Sequence, residues 1–419
     1  MKRVFAAAMS AIMCCFCITG NGAVGAEKCP SRFRATFIQN WCCRDWTQQR
    51  WEQELGSAKQ AGFDSVIIQS VYDIVRGECP QGENTQDPDA YSSAESFCMF
   101  CSENTATYHS SQNGGDELSV ALEAAKATGM KLWLGTVSDD MWWKYGWGVP
   151  DGSFFADWSE ENGRLGANLI TEMWSRYGSS YSQQIAGWYY VNEIWNMDAA
   201  CREDDNGEYV RIIGSNIKAS VSAVQESCPE KPLLISPFYN PDISGPEQYT
   251  AFLSDIIEAG GLRQQDIYAG QDGGGKEYSP VVIRQWAEAQ KKAVDGIMTF
   301  WINNECFGTE MTAKPVSVLR ENYLATADLA DGNILFSWDH YYAPDEELNR
   351  QFRKFTFESV RGDVNGDGRF NVADLAVMQS FLLGRAELAV PSEGDLCADG
   401  TVDVFDMVSM RKMLIAQEW

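Results

Sequence analysis

The sequence predicts a (β/α)8 barrel followed by a small module built of α-helices, and three observations support this fold class. Short apolar segments of strand type alternate with amphipathic helical segments eight times between residues 32 and 358. The apolar segments are continuous rather than alternating in polarity, which is typical of parallel strands buried on both faces. Beyond residue 361 the strands stop, and a polar loop followed by a helix occurs twice. A doubly wound parallel sheet would give the same alternation and is the alternative fold.

Eight segments have the composition and length of barrel strands, and a helical segment follows each of them. The predicted strands are residues 34–41, 65–71, 131–137, 186–192, 232–238, 266–271, 296–302 and 333–338. The predicted helices are residues 48–61, 117–128, 162–177, 207–227, 248–259, 279–293, 315–330 and 345–359. Gly62 and Gly129 follow two of these helices, at the position where glycine commonly ends a helix. We therefore expect a barrel domain over residues 30–359 and a second domain over residues 362–419.

The N-terminus has the pattern of a secretory signal peptide over residues 1–26. Lys2 and Arg3 precede an apolar stretch over residues 4–20, and small residues at 24–26 precede the expected cleavage site. The apolar stretch is too short for a membrane span, so we expect a secreted, extracellular protein without one. A lipoprotein signal is the alternative, and its lipidated residue would be Cys14, Cys15 or Cys17.

Charge and cysteine content limit the kinds of binding partner and of cellular compartment that suit this chain. The net charge of −26 disfavours nucleic acid and anionic membranes as partners, because both repel an acidic surface. Three of the 13 cysteines lie in the signal segment and ten lie beyond it, where a secreted protein commonly forms disulfides. Most of these fall in loops after predicted strands, so we expect disulfides that fix those loops. The cysteines concerned are Cys42, Cys43, Cys79, Cys98, Cys101, Cys201 and Cys306.

Two loops near the C-terminus, residues 363–374 and 395–406, have the ligand spacing of an EF-hand calcium site. The predicted ligands of the first loop are Asp363, Asn365, Asp367, Arg369, Asn371 and Asp374. The predicted ligands of the second loop are Asp395, Asp399, Thr401, Asp403 and Asp406. Cys397 occupies the third position of the second loop, where a soft thiol is a poor calcium ligand. We therefore expect two Ca²⁺ sites, with weaker binding or a water ligand at the second.

Two such loop–helix units, which lack the leading helix of an EF-hand and have Asp at the twelfth position, resemble a type I dockerin. The resemblance covers residue 362 to about residue 417. It implies a calcium-folded module that binds a cohesin on a scaffoldin or cell-surface protein, and hence a cellulosome-associated chain. The cohesin contacts that it implies are Val372, Ala373, Gln379, Ser380, Val404, Phe405, Arg411 and Lys412.

Several carboxylates follow the predicted strands, and a barrel places such side chains at one open end, here called the mouth. Glu193 follows the fourth strand and Glu305 the seventh, and glycoside hydrolysis uses two carboxyl groups of this kind. Asp272 and Asp339 are the alternative partners of Glu193. Simpler interpretations also exist, since Glu193 could end a strand at the surface and Asp272 could serve turn geometry.

The chain holds 15 tryptophans, and flat aromatic rings beside polar groups suit the binding of sugars. We expect part of this tryptophan set to pack in the core and part to contact substrate. The predicted substrate-binding residues at the mouth are Trp41, Trp195, Tyr239, Gln271, Asp272, Trp301, Asn304, Asp339 and His340.

The Asn-Glu pair after the fourth strand and the Glu after the seventh resemble the clan A glycoside hydrolases, which have the TIM-barrel fold. The resemblance implies that Glu193 is the acid/base, that Asn192 contacts a sugar hydroxyl, and that Glu305 is the nucleophile of a retaining reaction. More narrowly, the runs GWYYVNE, ISPFYNP, QDGGG and FWINNECF resemble an uncharacterised family of bacterial secreted barrels. That likeness covers most of residues 34–340 and implies no particular substrate.

Other chemistries fit the sequence less well. The chain has two histidines, which disfavours a histidine-rich zinc hydrolase, and it has no G-x-S-x-G motif or phosphate-binding loop. The sequence therefore favours a secreted, cellulosomal glycosidase acting on plant polysaccharide. The alternatives are a non-catalytic carbohydrate-binding barrel that carries the same module, and a subunit whose only function is to bind cohesin.

Overall fold

The computed structural model describes most of the chain, in eight stretches. These are residues 31–79, 87–92, 96–105, 115–146, 152–196, 207–357, 360–397 and 399–416. The predicted signal peptide, residues 1–26, lies outside the described residues, as do Cys29, Trp147 and Cys201. Within the described part of the chain, no helix combines the length and the apolar character that crossing a membrane requires.

Eight parallel strands close into a barrel in chain order, which confirms the (β/α)8 prediction and excludes the doubly wound sheet. The barrel strands are β1 (Ala35–Ile38), β2 (Ser65–Ile68), β5 (Lys131–Gly135), β7 (Ile185–Tyr190), β8 (Leu233–Ile235), β9 (Ile267–Gln271), β10 (Thr299–Glu305) and β11 (Gly332–Phe336). Strand β1 closes the ring by pairing with both β2 and β11, in the latter case with Ala35 beside Ile334. The carboxyl ends of all eight strands therefore open on one side, which is the mouth.

Helices cover the outside of the barrel. They are α1 (Asn40–Cys43), α2 (Gln48–Ala61), α3 (Glu117–Thr128), α4 (Met141–Gly146), α5 (Gly152–Tyr181), α6 (Glu208–Ser227), α7 (Pro246–Gly260), α8 (Pro280–Val294), α9 (Val316–Thr326), α10 (Trp338–Tyr341) and α11 (Glu346–Thr356). Local sequence determines where several helices begin and end. In α2, the Thr47 hydroxyl accepts a hydrogen bond from the Arg50 amide at the start of the helix, and Gly62 ends the helix with a φ of 111°.

Side chains of the strands alternate between the barrel interior and the outer core. The interior cluster contains Ala35, Phe37, Ile67, Trp133, Tyr189, Leu234, Ile267, Ala269, Trp301 and Ile334. The prediction that Trp301 binds substrate is wrong, because this ring is buried in the interior, with the Arg34 guanidinium 5.6 Å from its centroid. The physical reason is strand length: β10 runs to Glu305 rather than to residue 302, so Trp301 lies in its first half.

A small sheet that the sequence did not predict stands at the rim of the mouth. It consists of β3 (Tyr72–Ile74), β4 (Phe97–Cys98) and β6 (Val137–Asp139), in the order β4-β3-β6. The Arg76 guanidinium pairs with both oxygens of buried Asp139, at 3.0 and 2.5 Å, and Trp158 Nε1 donates to the same carboxylate at 3.0 Å. These bonds tie the rim sheet to α5.

The described cysteines are free thiols, so the rim disulfides predicted among them are absent. They are Cys42, Cys43, Cys79, Cys98, Cys101, Cys228, Cys306 and Cys397. Several pack as small buried groups with local hydrogen bonds: Cys43 Sγ donates to the Asn40 carbonyl at 3.3 Å, and Cys306 Sγ donates to the Phe336 carbonyl at 3.2 Å. These two thiols thus bond to main-chain carbonyls rather than to another cysteine.

The C-terminal module has its own small core and packs on the end of the barrel opposite the mouth. Its helices are α12 (Val372–Leu382), α13 (Pro391–Gly394) and α14 (Val404–Ala416), around Val364, Met378, Leu388, Leu396 and Met410. The Arg369 guanidinium donates to the Leu324 carbonyl of the barrel. Asp363 and Asp367 share a cavity with Asp64 and Gly332, which lie at the N-terminal ends of barrel strands.

Candidate functional site

Three barrel strands bring two glutamates and an amide together at the mouth. Glu305 is the last residue of β10, and Glu193 follows β7 by three positions. The Gln271 amide, at the end of β9, hydrogen-bonds the Glu193 carboxylate and donates from Nε2 to the Ser236 carbonyl at 3.2 Å. The Glu193 charge also raises the pKa of Glu305, by less than burial and the Asp272 charge do.

The Glu193 side chain is half-buried at the mouth rather than fully solvated at a strand end. Burial raises its pKa to about 7, and the hydrogen bond from Gln271 opposes that rise. Its negative charge, added to burial, raises the pKa of Tyr189 below it in the barrel. A carboxyl group tuned in this way holds a proton near neutral pH, as a general acid requires.

Glu305 is held by the loop that follows β9. Its Oε2 accepts the Gly275 amide at 2.7 Å, and its own amide donates to Asp272 Oδ1 at 3.3 Å. Burial and then the Asp272 charge raise the pKa of Glu305, whereas the Gly275 amide and the Lys314 ammonium lower it. Buried Lys314 also donates to the Gly274 carbonyl, so one cation supports both the loop and the carboxylate.

Three consecutive glycines allow this loop to approach Glu305. A Cβ atom on Gly275 would lie 2.7 Å from the Phe307 ring, and one on Gly274 would lie 3.0 Å from the Glu305 carbonyl oxygen. Gly273 has a φ of 74°, in the left-handed region that favours glycine. The QDGGG run therefore acts as a close-fitting backbone cradle for a carboxylate.

Asp272 supports this cradle, as its turn interpretation predicted. Its Oδ1 accepts the amides of Gly274, at 2.7 Å, and Glu305, and the Tyr239 hydroxyl donates to its carbonyl at 2.8 Å. The Tyr239 ring is stacked at 4.4 Å on Trp286 and is buried, so the prediction that Tyr239 binds substrate is wrong. Burial raises the pKa of Asp272, and the Lys314 charge opposes the rise.

Asn192 and Asn304, two predicted substrate contacts, have side chains that point away from the mouth, because successive side chains of a strand point to opposite faces. Asn192 Nδ2 donates to Asn162 Oδ1 of α5 at 2.9 Å. Asn304 Nδ2 donates to Asn333 Oδ1 at 3.0 Å, on the outer side of the barrel. Both side chains are buried, and the predictions that they contact substrate are wrong. They instead fix the strand ends that carry Glu193 and Glu305.

The amide that does enter the mouth is Asn303, which the sequence analysis missed. It precedes Glu305 by two residues, lies beside Gln271 in the strand register, and donates to Ser236 Oγ at 3.1 Å. Its Oδ1 is buried and has no hydrogen-bond partner among the described residues. Two-residue periodicity from Glu305 is the signal that could have found it. Lys314 carried no comparable signal, because it lies nine residues beyond the strand.

Asp339 and His340 form the β11 side of the mouth. Burial raises the pKa of Asp339 to about 7, against hydrogen bonds from Ser337 and the His340 amide. The Asp339 charge raises the pKa of Cys306 and the pKa of Tyr341, and it is not among the causes that shift the pKa of Glu193. His340 is exposed and its ring lies 4.6 Å from Tyr341. Of the candidate partners, Glu305 is the one whose pKa the Glu193 charge raises.

Aromatic rings offer platforms at the rim. The half-buried rings of Trp195 and Phe238 stack at 5.1 Å with an angle of 15° between their planes, two residues beyond Glu193. Trp41, on α1, is 53% exposed at the opposite rim, and Trp143 is 41% exposed. Flat rings of this size suit stacking on a sugar ring.

The first loop of the C-terminal module fits a calcium ion. Burial and the carboxylates of Asp367 and Asp374 raise the pKa of Asp363 to about 6, although the Gly368 amide opposes the rise. Such crowding of buried negative charge is what a divalent cation relieves. The Asn371 and Asp403 side chains accept the amides of Ala373 and Phe405, each at 2.7 Å, and so cap helices rather than face the ion position.

The seventh position offers a metal the same group in both loops. The Arg369 guanidinium donates to the Leu324 carbonyl and the Thr401 hydroxyl donates to Asp399, which leaves only the main-chain carbonyls of these two residues for a metal. In the second loop, the donor atoms of Asp395, Cys397 and Asp399 lie within 4.8 Å of one another. This second set contains a sulfur and fits calcium less well.

The residues implied to contact a cohesin lie on the surface of the module. Val372, Val404 and Phe405 are 65%, 52% and 67% exposed. Ala373, Gln379, Arg411 and Lys412 are also exposed, and Ser380 is half-buried. Apolar side chains with this exposure form an unpartnered surface on both repeats.

Comparisons with known proteins agree with the two-part architecture. Residues 34–348 match the family model described as domain of unknown function (DUF4434), and residues 361–415 match the Dockerin type I domain. Modules of this dockerin type bind calcium. Among curated proteins, no match was found.

Solved structures are similar to this chain to different extents. A candidate alpha-L-fucosidase from Bacteroides thetaiotaomicron VPI-5482 has 18% identity and a TM-score of 0.57, covering 81% of this chain and 99% of that chain. A beta-galactosidase from Marinomonas ef1 has 12% identity and a TM-score of 0.45, covering 84% of this chain and 60% of the other. A beta-mannanase from Mytilus edulis has 13% identity and a TM-score of 0.40, covering 78% and 92%. At such identities, the first likeness supports the fold alone.

Proposed function

We propose that this chain, which belongs to the family described as domain of unknown function (DUF4434), is a secreted glycoside hydrolase acting on plant polysaccharide. The observation that carries the proposal is the pair of carboxyl groups at the mouth of the barrel, Glu193 and Glu305, whose pKa values are both raised by burial. Two carboxyl groups in differently tuned environments are what cleavage of a glycosidic bond needs. The barrel likeness to a protein described as a candidate alpha-L-fucosidase agrees with the proposal.

In the proposed mechanism the two glutamates have different roles. Glu193, whose pKa is raised to about 7, gives its proton to the glycosidic oxygen as the bond breaks. Ionised Glu305 attacks the anomeric carbon, and the Gly275 amide and the Lys314 charge favour its ionised form. Glu193 then takes a proton from the water that releases the sugar, with net retention of configuration.

The residues around the pair support these steps. Gln271 holds the Glu193 carboxyl group, and Asn303 lies beside Gln271 in the strand register with its Oδ1 buried. The stacked rings of Trp195 and Phe238 provide an apolar face for a sugar. Substrate contacts at Trp41, Asp339 and His340 stay predictions, since each lies on the rim or wall of the mouth.

The C-terminal module would attach this enzyme to a cellulosome. We propose that its exposed surfaces bind a cohesin of a scaffoldin or cell-surface protein, and that its first loop binds Ca²⁺. In that setting the chain is extracellular and its substrate is a polysaccharide. The module packs on the barrel end away from the mouth, so a bound cohesin leaves the mouth open.

A non-catalytic, sugar-binding barrel is the second candidate, and one observation favours it. Burial, Asp272 and Glu193 all raise the pKa of Glu305, which works against an ionised nucleophile. If these effects outweighed Lys314 and the Gly275 amide, both carboxyl groups would be protonated. Such a mouth would bind sugar through hydrogen bonds without cleaving it.

The deciding experiment assays Glu193→Gln and Glu305→Gln on a panel of soluble plant polysaccharides. We expect each variant to lose about 10²–10⁴-fold in kcat/KM, because each lacks one of the two reacting groups. Glu310→Gln, an exposed carboxylate five residues from Glu305, is the matched control and should keep full activity. Undiminished hydrolysis in both mouth variants would refute the pair. Binding without hydrolysis by the native chain would favour the second candidate.

A further inference from the structure

A cavity of about 470 Å³, here called the rim cavity, lies between the rim sheet and the first half of α5. The residues that line it include Arg76, Asp87, Asp89, Asp157, Glu161 and Asn162. The rim sheet, residues 87–89 and the start of α5 all belong to segments that follow barrel strands, so the cavity lies on the mouth side of the barrel. None of these residues takes part in the proposed mechanism.

The rim cavity adjoins the strand end that carries Glu193. Asn162, in the cavity wall, accepts a hydrogen bond at 2.9 Å from Asn192, the residue before Glu193. In the proposed mechanism Glu193 gives its proton to the glycosidic oxygen, and Glu305 attacks the anomeric carbon from the other side. The departing part of the substrate therefore lies on the Glu193 side of the pair, which is the side of the rim cavity.

The cavity wall contains a buried amide whose hydrogen bonds are incomplete. Asn162 is 5% exposed, and its Oδ1 accepts the Nδ2 groups of Asn192 and Asn216 at 2.9 and 3.3 Å. Its own Nδ2 is buried and has no hydrogen-bond partner among the described residues. Because the oxygen faces β7 and α6, the nitrogen is the part of the amide that is left to face the cavity. A buried donor of this kind points to a ligand that supplies an oxygen acceptor.

An aromatic ring and carboxylates form the more open part of the cavity. The Phe154 ring is 38% exposed and suits stacking on a sugar ring. Asp89 and Asp157 are exposed carboxylates, which accept hydrogen bonds from hydroxyl groups. The Arg76 guanidinium already pairs with both oxygens of Asp139. The described lining therefore carries a net negative charge, which suits an uncharged polyhydroxyl ligand and repels a carboxylated one.

We propose that the rim cavity binds the leaving-group part of a neutral glycan and disfavours glycans whose units carry carboxylates. The inference rests on the proposed function, because it takes Glu193 as the proton donor. Phe154 stacks on a sugar ring, Asp157 accepts hydrogen bonds from its hydroxyls, and Asn162 Nδ2 donates to one of its oxygens. These residues position the substrate and exchange no proton with it.

The test compares two substrates that share the attacked sugar but differ in the leaving group. One is the soluble plant polysaccharide that the native, full-length chain cleaves fastest. The other is the glycosyl fluoride of its backbone sugar, whose fluoride is too small to fill the cavity. We expect Phe154→Ala and Asp157→Asn each to lower kcat/KM about fivefold to tenfold on the polysaccharide and to leave the fluoride reaction unchanged. Glu160→Gln, exposed on the α6 side of the same helix, is the matched control and should behave as the native chain on both substrates.

A second comparison tests the preference for neutral glycans. Oxidation of the primary hydroxyls of the same polysaccharide to carboxylates should lower the native kcat/KM at least about tenfold, and the double variant Asp89→Asn/Asp157→Asn should recover most of that loss. Equal losses on polysaccharide and fluoride, or no loss on either, would overturn the cavity site. A native chain that cleaves the oxidised polysaccharide as well as the parent would overturn the preference. Hydrolysis of neither parent polysaccharide nor fluoride would refute the proposed function itself, and the inference with it.

Discussion

Lys314 places a positive charge against two buried carboxylates, those of Asp272 and Glu305. Replacement by Met removes this charge and so raises the pKa of Glu305. We expect the acid limb of the kcat/KM pH profile to move to higher pH, by about one unit, and activity at mildly acidic pH to fall about tenfold. Lys314→Arg should restore the limb, and Lys276→Met, in the exposed part of the same loop, should not move it. An unchanged acid limb in Lys314→Met would contradict this role.

The Glu193 carboxyl group has a stability effect that can be measured without a substrate. Its pKa is about 7 in the folded chain and near 4.3 in an unfolded one, so the folded state binds the extra proton between these values. The contribution to stability is complete below about pH 4 and is lost as pH rises through about 7. Relative to the native chain, Glu193→Gln should therefore gain about 1–3 kcal/mol of unfolding free energy between about pH 4.5 and pH 8.

Urea unfolding at the two pH values measures this difference. The matched control is again Glu310→Gln, whose side chain is exposed and should follow the native chain at both pH values. If Glu193→Gln shows the same pH slope as the native chain, the carboxyl group does not carry a raised pKa in the folded state.

Single positions at the mouth were predictable only where a strand end was placed correctly. Glu193, Glu305 and Gln271 lie at the mouth as predicted, because acidic and amide groups after apolar strands mark the open end. The predicted strand ends at residue 302, short of Asn303 and Asn304, so it does not show the two-residue alternation that relates Asn303 to Glu305. Lys314 comes from a distant loop, and only the tertiary structure brings it to Glu305.

Among the structural elements, the loop of Gly273, Gly274 and Gly275 is the one whose backbone supports a reacting group. Gly275→Ala would place a methyl group 2.7 Å from the Phe307 ring and displace the amide that holds Glu305. We expect kcat to fall about 10–100-fold, since a shift of about 1 Å in a reacting group has that effect.

Gly56→Ala is the matched glycine control. Gly56 lies inside α2 with nothing within 4 Å of an added Cβ, so alanine should raise the unfolding free energy by about 0.5–1 kcal/mol and leave kcat unchanged. Steady-state kinetics and thermal unfolding on both variants provide the comparison. Native kcat in Gly275→Ala would show that the loop tolerates displacement.

Long elements were predictable and short ones were not. All eight barrel strands and their helices follow from periodicity, and α2 and α3 have the predicted bounds. The rim strands β3, β4 and β6 contain two or three residues each, which is too few for any repeating pattern. The missing rim disulfides have a similar cause, because sequence spacing does not report the direction in which a thiol points.

On the scale of the whole molecule, the barrel and the dockerin have separate hydrophobic cores of very different size. The dockerin core comprises five buried apolar residues, whereas that of the barrel spans its strands and covering helices. A core as small as the former rarely supports a fold without a metal or a disulfide. The crowded carboxylates of Asp363, Asp367 and Asp374 add a cost that a bound cation offsets.

Calcium removal should therefore unfold the dockerin and leave the barrel intact. In calorimetry with calcium, we expect two transitions, and a chelator should abolish the smaller one while the barrel midpoint moves by no more than about 2 °C. Asp363→Asn should lower the calcium dependence of the smaller transition, because it removes a buried carboxylate that the ion neutralises. Asp345→Asn, an exposed cap of α11 in the barrel, is the control. A single transition that shifts as a whole on chelation would mean that the Arg369–Leu324 contact couples the two cores into one cooperative unit.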